Sequence, residues 1–132
     1  MKTIQRLEAT SGIATLLSIF AYIYFIDYPQ FHRIPVDESR AYNWLGAFIF
    51  LIAPSMLIAL GAYLHAAKQR TEGFLLVLIF GSILTFLNAF ATIIGTGYEG
   101  RPFIGNLPGL FAFLTVILAL CNTLFVKQDN LP

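Results

Sequence analysis

The spacing of charge along the chain constrains its fold more than any other feature. No Asp, Glu, Lys or Arg falls within residues 9–26, 44–67, 73–97 or 107–126, runs of 18, 24, 25 and 20 residues. A bilayer core about 30 Å thick is crossed by roughly 20 apolar residues rising 1.5 Å each in an α-helix. Each run is long enough, and the chain reads as four transmembrane helices. Composition agrees: 58% of the residues are hydrophobic and only 11% charged, whereas soluble domains carry about 25% charged residues. The expected fold is therefore all-α, an integral membrane four-helix antiparallel bundle in which residues 1–132 form one transmembrane domain. MKTIQR before an apolar stretch has the form of a secretory signal, but Glu8 interrupts its basic region and no A-x-A site follows. The first run is expected to remain as a spanning helix.

Four spans put both termini on one side of the membrane. Lys2, Arg6, Lys68, Arg70 and Lys127 would lie on that side and Arg33, Arg40 and Arg101 on the other. The excess of basic residues predicts that both termini are cytoplasmic. Tyr24, Tyr28, Tyr42, Trp44 and Tyr98 would then gather at the outer interface, where amphipathic rings are favoured. The second connection, KQRTE, is short enough to make a tight hairpin of helices two and three. The first and third are longer and rich in proline and glycine, and Asn106 is expected to cap helix four.

Lipid is as apolar as leucine, so membrane helices associate through small residues and interhelical hydrogen bonds. Helix one carries Ser11, Ala14, Ser18 and Ala21 at helical spacing. Helix two has Ser55, Ala59, Ala62 and Ala66, helix three Ser82, Thr85, Ala89, Thr92 and Thr96, and helix four Ala112, Thr115, Ala119 and Asn122. Steps averaging 3.5 residues describe the seam of a left-handed bundle. All four stripes are expected to face neighbouring helices; a stripe facing lipid would mark contact with another chain. Asn88 stands one step beside the stripe of helix three, near mid-membrane, and must find a partner such as Thr115 or a backbone carbonyl. Asn122 is its counterpart in kind but lies nearer the end of helix four. Ser82, Thr85, Asn88, Thr92, Thr115 and Asn122 are thus the candidate packing or polar-lining residues. Pro54 removes a backbone donor within helix two and predicts a kink or hinge, with Ser55 placed to satisfy a freed backbone group.

The chemistry that is missing is equally informative. Proton- and ion-coupled carriers keep ionisable side chains in the bilayer despite a cost of about 2.5–3.5 kcal/mol each on insertion scales. Here the spans offer only His65, near an end and expected to face water at the interface. Glu8 is the one candidate for a carboxylate-driven antiporter of the small multidrug type, and it reads as interfacial. His65 could ligate a pigment or approach a quinone, with Ala62, Ala66 and Ala67 leaving room. His32, Asp37, Glu38 and Glu99 lack metal-site spacing, and ion pairs with Arg33, Arg40 and Arg101 suit them better, so no metal site is expected. A single cysteine, Cys121, excludes an internal disulfide and a CxxC pair. A net charge of +1 without a basic cluster excludes nucleic-acid binding. No hydrolase elbow, zinc helix, P-loop or dinucleotide fingerprint occurs, so no catalytic residue is assigned. These features point to a non-enzymatic structural or accessory subunit that packs in a larger membrane protein complex or with itself. The alternatives are a carrier or channel for a neutral or lipid-like molecule, and a quinone- or pigment-binding subunit.

Overall fold

A computed structural model of the chain describes residues 3–28, 42–93 and 102–129, with the side chains of residue 102 and residues 126–129 left aside. The uncharged runs fold into α1 (Thr3–Asp27), α2 (Trp44–Lys68), α3 (Thr71–Ile93) and α4 (Pro102–Asp129). Each is long and apolar enough to cross a membrane, and no strand occurs among the described residues. The protein is an integral, multi-pass, all-α four-helix bundle. Each helix packs on its neighbours in the order α1, α2, α3, α4 and back to α1, and the α2–α4 diagonal is much the weaker contact.

The helices extend beyond several of the limits set by charge. α1 begins at Thr3 rather than at residue 9, which places Arg6 and Glu8 inside the helix. α4 begins at Pro102, so Asn106 sits within its second turn and does not cap it. Proline suits a first helical position because its missing N–H has no partner there in any case. α3 is described to Ile93 only, and Thr96 and Tyr98 lie outside the described residues.

Pro54 is accommodated by a wide turn. Residues Phe48–Ile52 form a π-helical segment, and regular α-helix resumes at Ala53 with the proline in its first turn. Ser55 Oγ donates to the Ile52 carbonyl at 2.8 Å, so the hydroxyl engages a backbone acceptor beside the proline. α1 has a matching π segment at Ile23–Asp27. At this end of the bundle Tyr28, Tyr42 and Trp44 form an aromatic cluster with ring centroids 4.8–6.0 Å apart. The Tyr42 hydroxyl donates to the Asp27 carboxylate.

Three stripes face inward. Ser11 and Ser18 of α1, Ser55, Ala62 and Ala66 of α2, and Ala112, Thr115, Ala119 and Asn122 of α4 are buried. Small side chains let backbones approach until side-chain hydroxyls meet: Ser11 Oγ and Thr115 Oγ1 hydrogen-bond at 2.5 Å across α1 and α4. Thr15 Oγ1 donates to the Ser11 carbonyl at 2.9 Å, and Ser18 Oγ to that of Thr15 at 2.7 Å. The hydroxyls of Ser11, Thr15, Ser18 and Thr115 are thereby bonded within the protein.

The stripe of α3 does not face inward. Ser82, Ala89 and Thr92 are exposed, and the buried face is Gly73, Val77, Gly81 and Leu84. Glycine decides the rotation. A methyl group on Gly73 would lie 2.6 Å from the Gly61 carbonyl oxygen, and one on Gly61 2.7 Å from that of Gly73. Backbone meets backbone at this crossing, an approach that serine or alanine would prevent. Turning the glycines inward carries Ser82 and Ala89 outward.

The tight α2–α3 hairpin depends on Gln69. Its backbone is left-handed (φ 54°, ψ 37°), its N–H donates to the His65 carbonyl, and the Arg70 N–H reaches the carbonyl of Leu64. This closes the end of α2 in the conformation that usually selects glycine.

Candidate functional site

The polar stripes of α1 and α4 run to the end of the bundle that holds the α2–α3 hairpin, and there they meet His65. Continuing the α1 stripe back one turn from Ser11 reaches Glu8, which is 0% exposed. The α4 stripe ends at Asn122, also 0% exposed. From α2, His65 enters the same space at 5% exposure. Helices α1, α2 and α4 thus each contribute one polar side chain to an enclosed cluster. From the fourth side Phe74 of α3 lies against the imidazole, ring centroids 5.2 Å apart.

The bonding is specific. Glu8 Oε1 and His65 Nδ1 are 2.6 Å apart, and Asn122 Nδ2 donates to Glu8 Oε2 at 2.8 Å. The second imidazole nitrogen, Nε2, lies 3.0 Å from Thr123 Oγ1. Thr123 Oγ1 in turn donates to the Ala119 carbonyl, one helical turn earlier, at 2.9 Å. Asn122 Oδ1 is buried with no hydrogen-bond partner. At 2.6 Å the Glu8–His65 contact is a direct hydrogen bond on the short side for N–H···O.

One expectation is corrected here: His65 does not face water, since both of its ring nitrogens are engaged by protein groups. Glu8 lies within α1, which starts five residues before it, and its carboxylate is covered by α2 and α4. Ala62 and Ala66 are packed inside the bundle, being 0% and 1% exposed; the position of a β-carbon on Gly12 is only 2.7 Å from Ala62 Cβ. The cluster escaped the sequence reading because the spans were bounded at charged residues, which placed Glu8 outside α1. Its spacing from Ser11, Thr15 and Ser18, in steps of three, four and three, carried the signal that it belongs to the inward face.

The remaining candidates lie elsewhere. Asn88 Nδ2 donates to the Gly105 carbonyl of α4 at 2.8 Å, a contact within the chain. Thr92 Oγ1 is 3.0 Å from the Asn88 carbonyl and 2.8 Å from Asn106 Oδ1. Thr85 donates to the carbonyl of Gly81 in its own helix, and Thr115 is the buried partner of Ser11. Asn88 also edges a cavity of about 100 Å³ lined by Ile19, Leu51, Leu84 and Pro108. Asn122 and Asn88 do not meet. His32, Asp37, Glu38, Glu99, Arg33, Arg40 and Arg101 lie outside the described residues. Among the described residues no group of three or more His, Cys, Asp or Glu side chains is arranged to hold a metal.

No family model matches this chain, and no curated protein or solved structure matches it either.

Proposed function

We propose that this chain is a non-enzymatic accessory subunit that packs against another transmembrane helix, in a larger membrane complex or in a second copy of itself, through the outer face of α3. One observation carries the reading: α3 is the least covered helix, 17% of an apolar 18-residue stretch being buried against 39% for α1 and for α4. Its exposed face holds Ser82, Ala89 and Thr92 at helical spacing. Small and polar side chains gain nothing from lipid, but they let a second helix approach closely. The bundle interior supports the same reading, because its hydroxyls and amides are largely bonded to one another. A carrier for a neutral or lipid-like solute is less well supported. The cavity beside Asn88 is about 100 Å³, against some 300–1,000 Å³ for typical small-molecule sites, and a second one of about 510 Å³, lined by Phe20, Ile23, Tyr24, Tyr28, Trp44 and Ile52, includes none of Thr85, Asn88 and Thr92. The reading takes both termini as cytoplasmic; cysteine introduced at Ser39 should then react with an impermeant thiol reagent only from outside.

Site-directed cross-linking in native membranes tests the interface. In a Cys121→Ser background, single cysteines at Ser82 and Ala89 should give a discrete cross-linked product. A cysteine at Leu17, 63% exposed on α1, should not. A disulfide-linked dimer identifies a second copy, and a defined heavier adduct with a photoreactive thiol reagent identifies another chain. If positions 82 and 89 behave like position 17, the proposal is wrong.

A further inference from the structure

We propose that Glu8, His65 and Thr123 form a reversible proton-binding site within the bundle, able to hold one proton more or less without losing a hydrogen bond. The inference goes beyond the accessory role and does not depend on it.

The argument rests on where hydrogens can sit. Glu8 Oε1 and His65 Nδ1 are 2.6 Å apart, so one hydrogen lies between them in either state. The other ring nitrogen faces a hydroxyl at 3.0 Å, and a hydroxyl both donates and accepts. In the proton-poor state the Thr123 Oγ1–H donates to the bare Nε2. The Ala119 carbonyl then keeps the helical bond it accepts from the N–H four residues on. When a proton arrives on Nε2, the Nε2–H donates to Thr123 Oγ1 and the hydroxyl hydrogen turns to the Ala119 carbonyl, 2.9 Å away. One proton enters, one O–H rotates, and every polar atom of the imidazole and hydroxyl stays paired in both states. Valine or leucine at position 123 has no hydroxyl and could not do this.

Two further features belong to the site. The cluster is rich in acceptors: both Glu8 oxygens are used, and Asn122 Oδ1 is buried without a donor. No fixed cation competes with the proton among the described residues. α1 contributes Glu8, with Arg6 exposed at the helix surface; α2 contributes His65, with Lys68 exposed at its end. α3 presents the Phe74 ring, its Glu72 being exposed beside Arg70 at 3.6 Å. α4 presents uncharged Asn122 and Thr123. The site also lies close to water: His65 is three residues from the end of α2, about 4.5 Å of helix rise. Ionisable groups placed within a membrane bundle are kept for use more often than for stability.

Nitrogen NMR of the full-length protein in lipid nanodiscs tests this. His32→Gln leaves His65 as the one histidine, since the chain has two. Histidine changes charge between about pH 5 and pH 8. Across that range the Nε2 signal should pass from unprotonated to protonated in one reversible step, while Nδ1 stays protonated or hydrogen-bonded throughout and helix content is unchanged. Glu8→Gln, which removes the carboxylate that faces Nδ1, should displace the step. Thr123→Ser, which keeps the hydroxyl, should retain the wild-type step, and Thr123→Val should shift it. A single unchanging protonation state of Nε2 across the range would overturn the proposal. So would a step accompanied by loss of helix, or one that Glu8→Gln leaves in place.

Discussion

Replacing Gly73 by alanine strikes the contact where the backbones of α2 and α3 meet. The added methyl would stand 2.6 Å from the Gly61 carbonyl oxygen, 2.7 Å from the His65 backbone nitrogen and 2.8 Å from Leu64 Cβ. Ordinary van der Waals contact begins at 3.4 Å, so α2 and α3 must separate locally by roughly 0.8 Å. Two of the three obstacles are backbone atoms and cannot rotate away. Overpacking of this kind costs about 1–3 kcal/mol, and a gap of 0.5–1 Å forfeits a quarter to a half of each neighbouring dispersion contact. Alanine recovers up to about 1 kcal/mol through its better helix propensity. A net loss of about 1–2 kcal/mol is expected. Reversible unfolding from mixed micelles by added denaturing detergent measures it. Gly46→Ala serves as the control, because its methyl would meet only the Asn43 side chain, and the helix propensity it gains against any disturbance of the Asn43 cap should leave a smaller loss than at Gly73. If Gly73→Ala is as stable as wild type, α2 and α3 do not cross backbone to backbone and the outward rotation of Ser82 loses its cause.

Other consequences can be read in the same assay or by titration. Gln69→Gly should stabilise the protein by about 0.5–1 kcal/mol, because glycine adopts the left-handed backbone without strain; no gain would mean the hairpin is not closed by that conformation. Asn88→Leu should destabilise by about 0.6–2 kcal/mol through loss of the bond to Gly105, and an equally stable variant would show that the amide does not join α3 to α4. Tyr42 should resist alkaline ionisation, because burial first and the Asp27 carboxylate second oppose the tyrosinate and raise its pKa. Its contribution to stability is complete below the ordinary tyrosine value near 10 and is lost as pH rises above it. Ultraviolet titration should show Tyr42 ionising at lower pH in Asp27→Asn than in the unchanged chain.

The four helices were legible in the sequence because uncharged runs of this length have one stable solution in lipid. Three of the four packing faces were legible too, since serine, alanine and threonine at helical spacing serve little else in a membrane. The rotation of α3 was not. Gly73, Val77, Gly81 and Leu84 compete with Ser82 and Ala89 for the inward position, and only the meeting of Gly73 with Gly61 decides between them. The cluster around Glu8 was hidden for a different reason. A charged residue near a span's edge looks interfacial in isolation, and its burial depends on Asn122 and His65, 114 and 57 positions away. Such pairing is a property of the tertiary arrangement, although the unbroken spacing from Glu8 to Ser18 points toward it.

The central claim is that Glu8 and His65 are direct partners closing α1 onto α2. A double-mutant cycle in lipid bicelles, with Glu8→Ala, His65→Ala and the double variant, tests it most directly. Loss of the Asn122 contact is common to both variants lacking Glu8 and cancels. Each single variant strands a buried polar or charged group and should cost about 3–5 kcal/mol. The double variant should cost less than the sum by at least about 1.5 kcal/mol. Additivity within about 0.5 kcal/mol would mean that the two side chains do not interact, and the closed cluster described here would not exist.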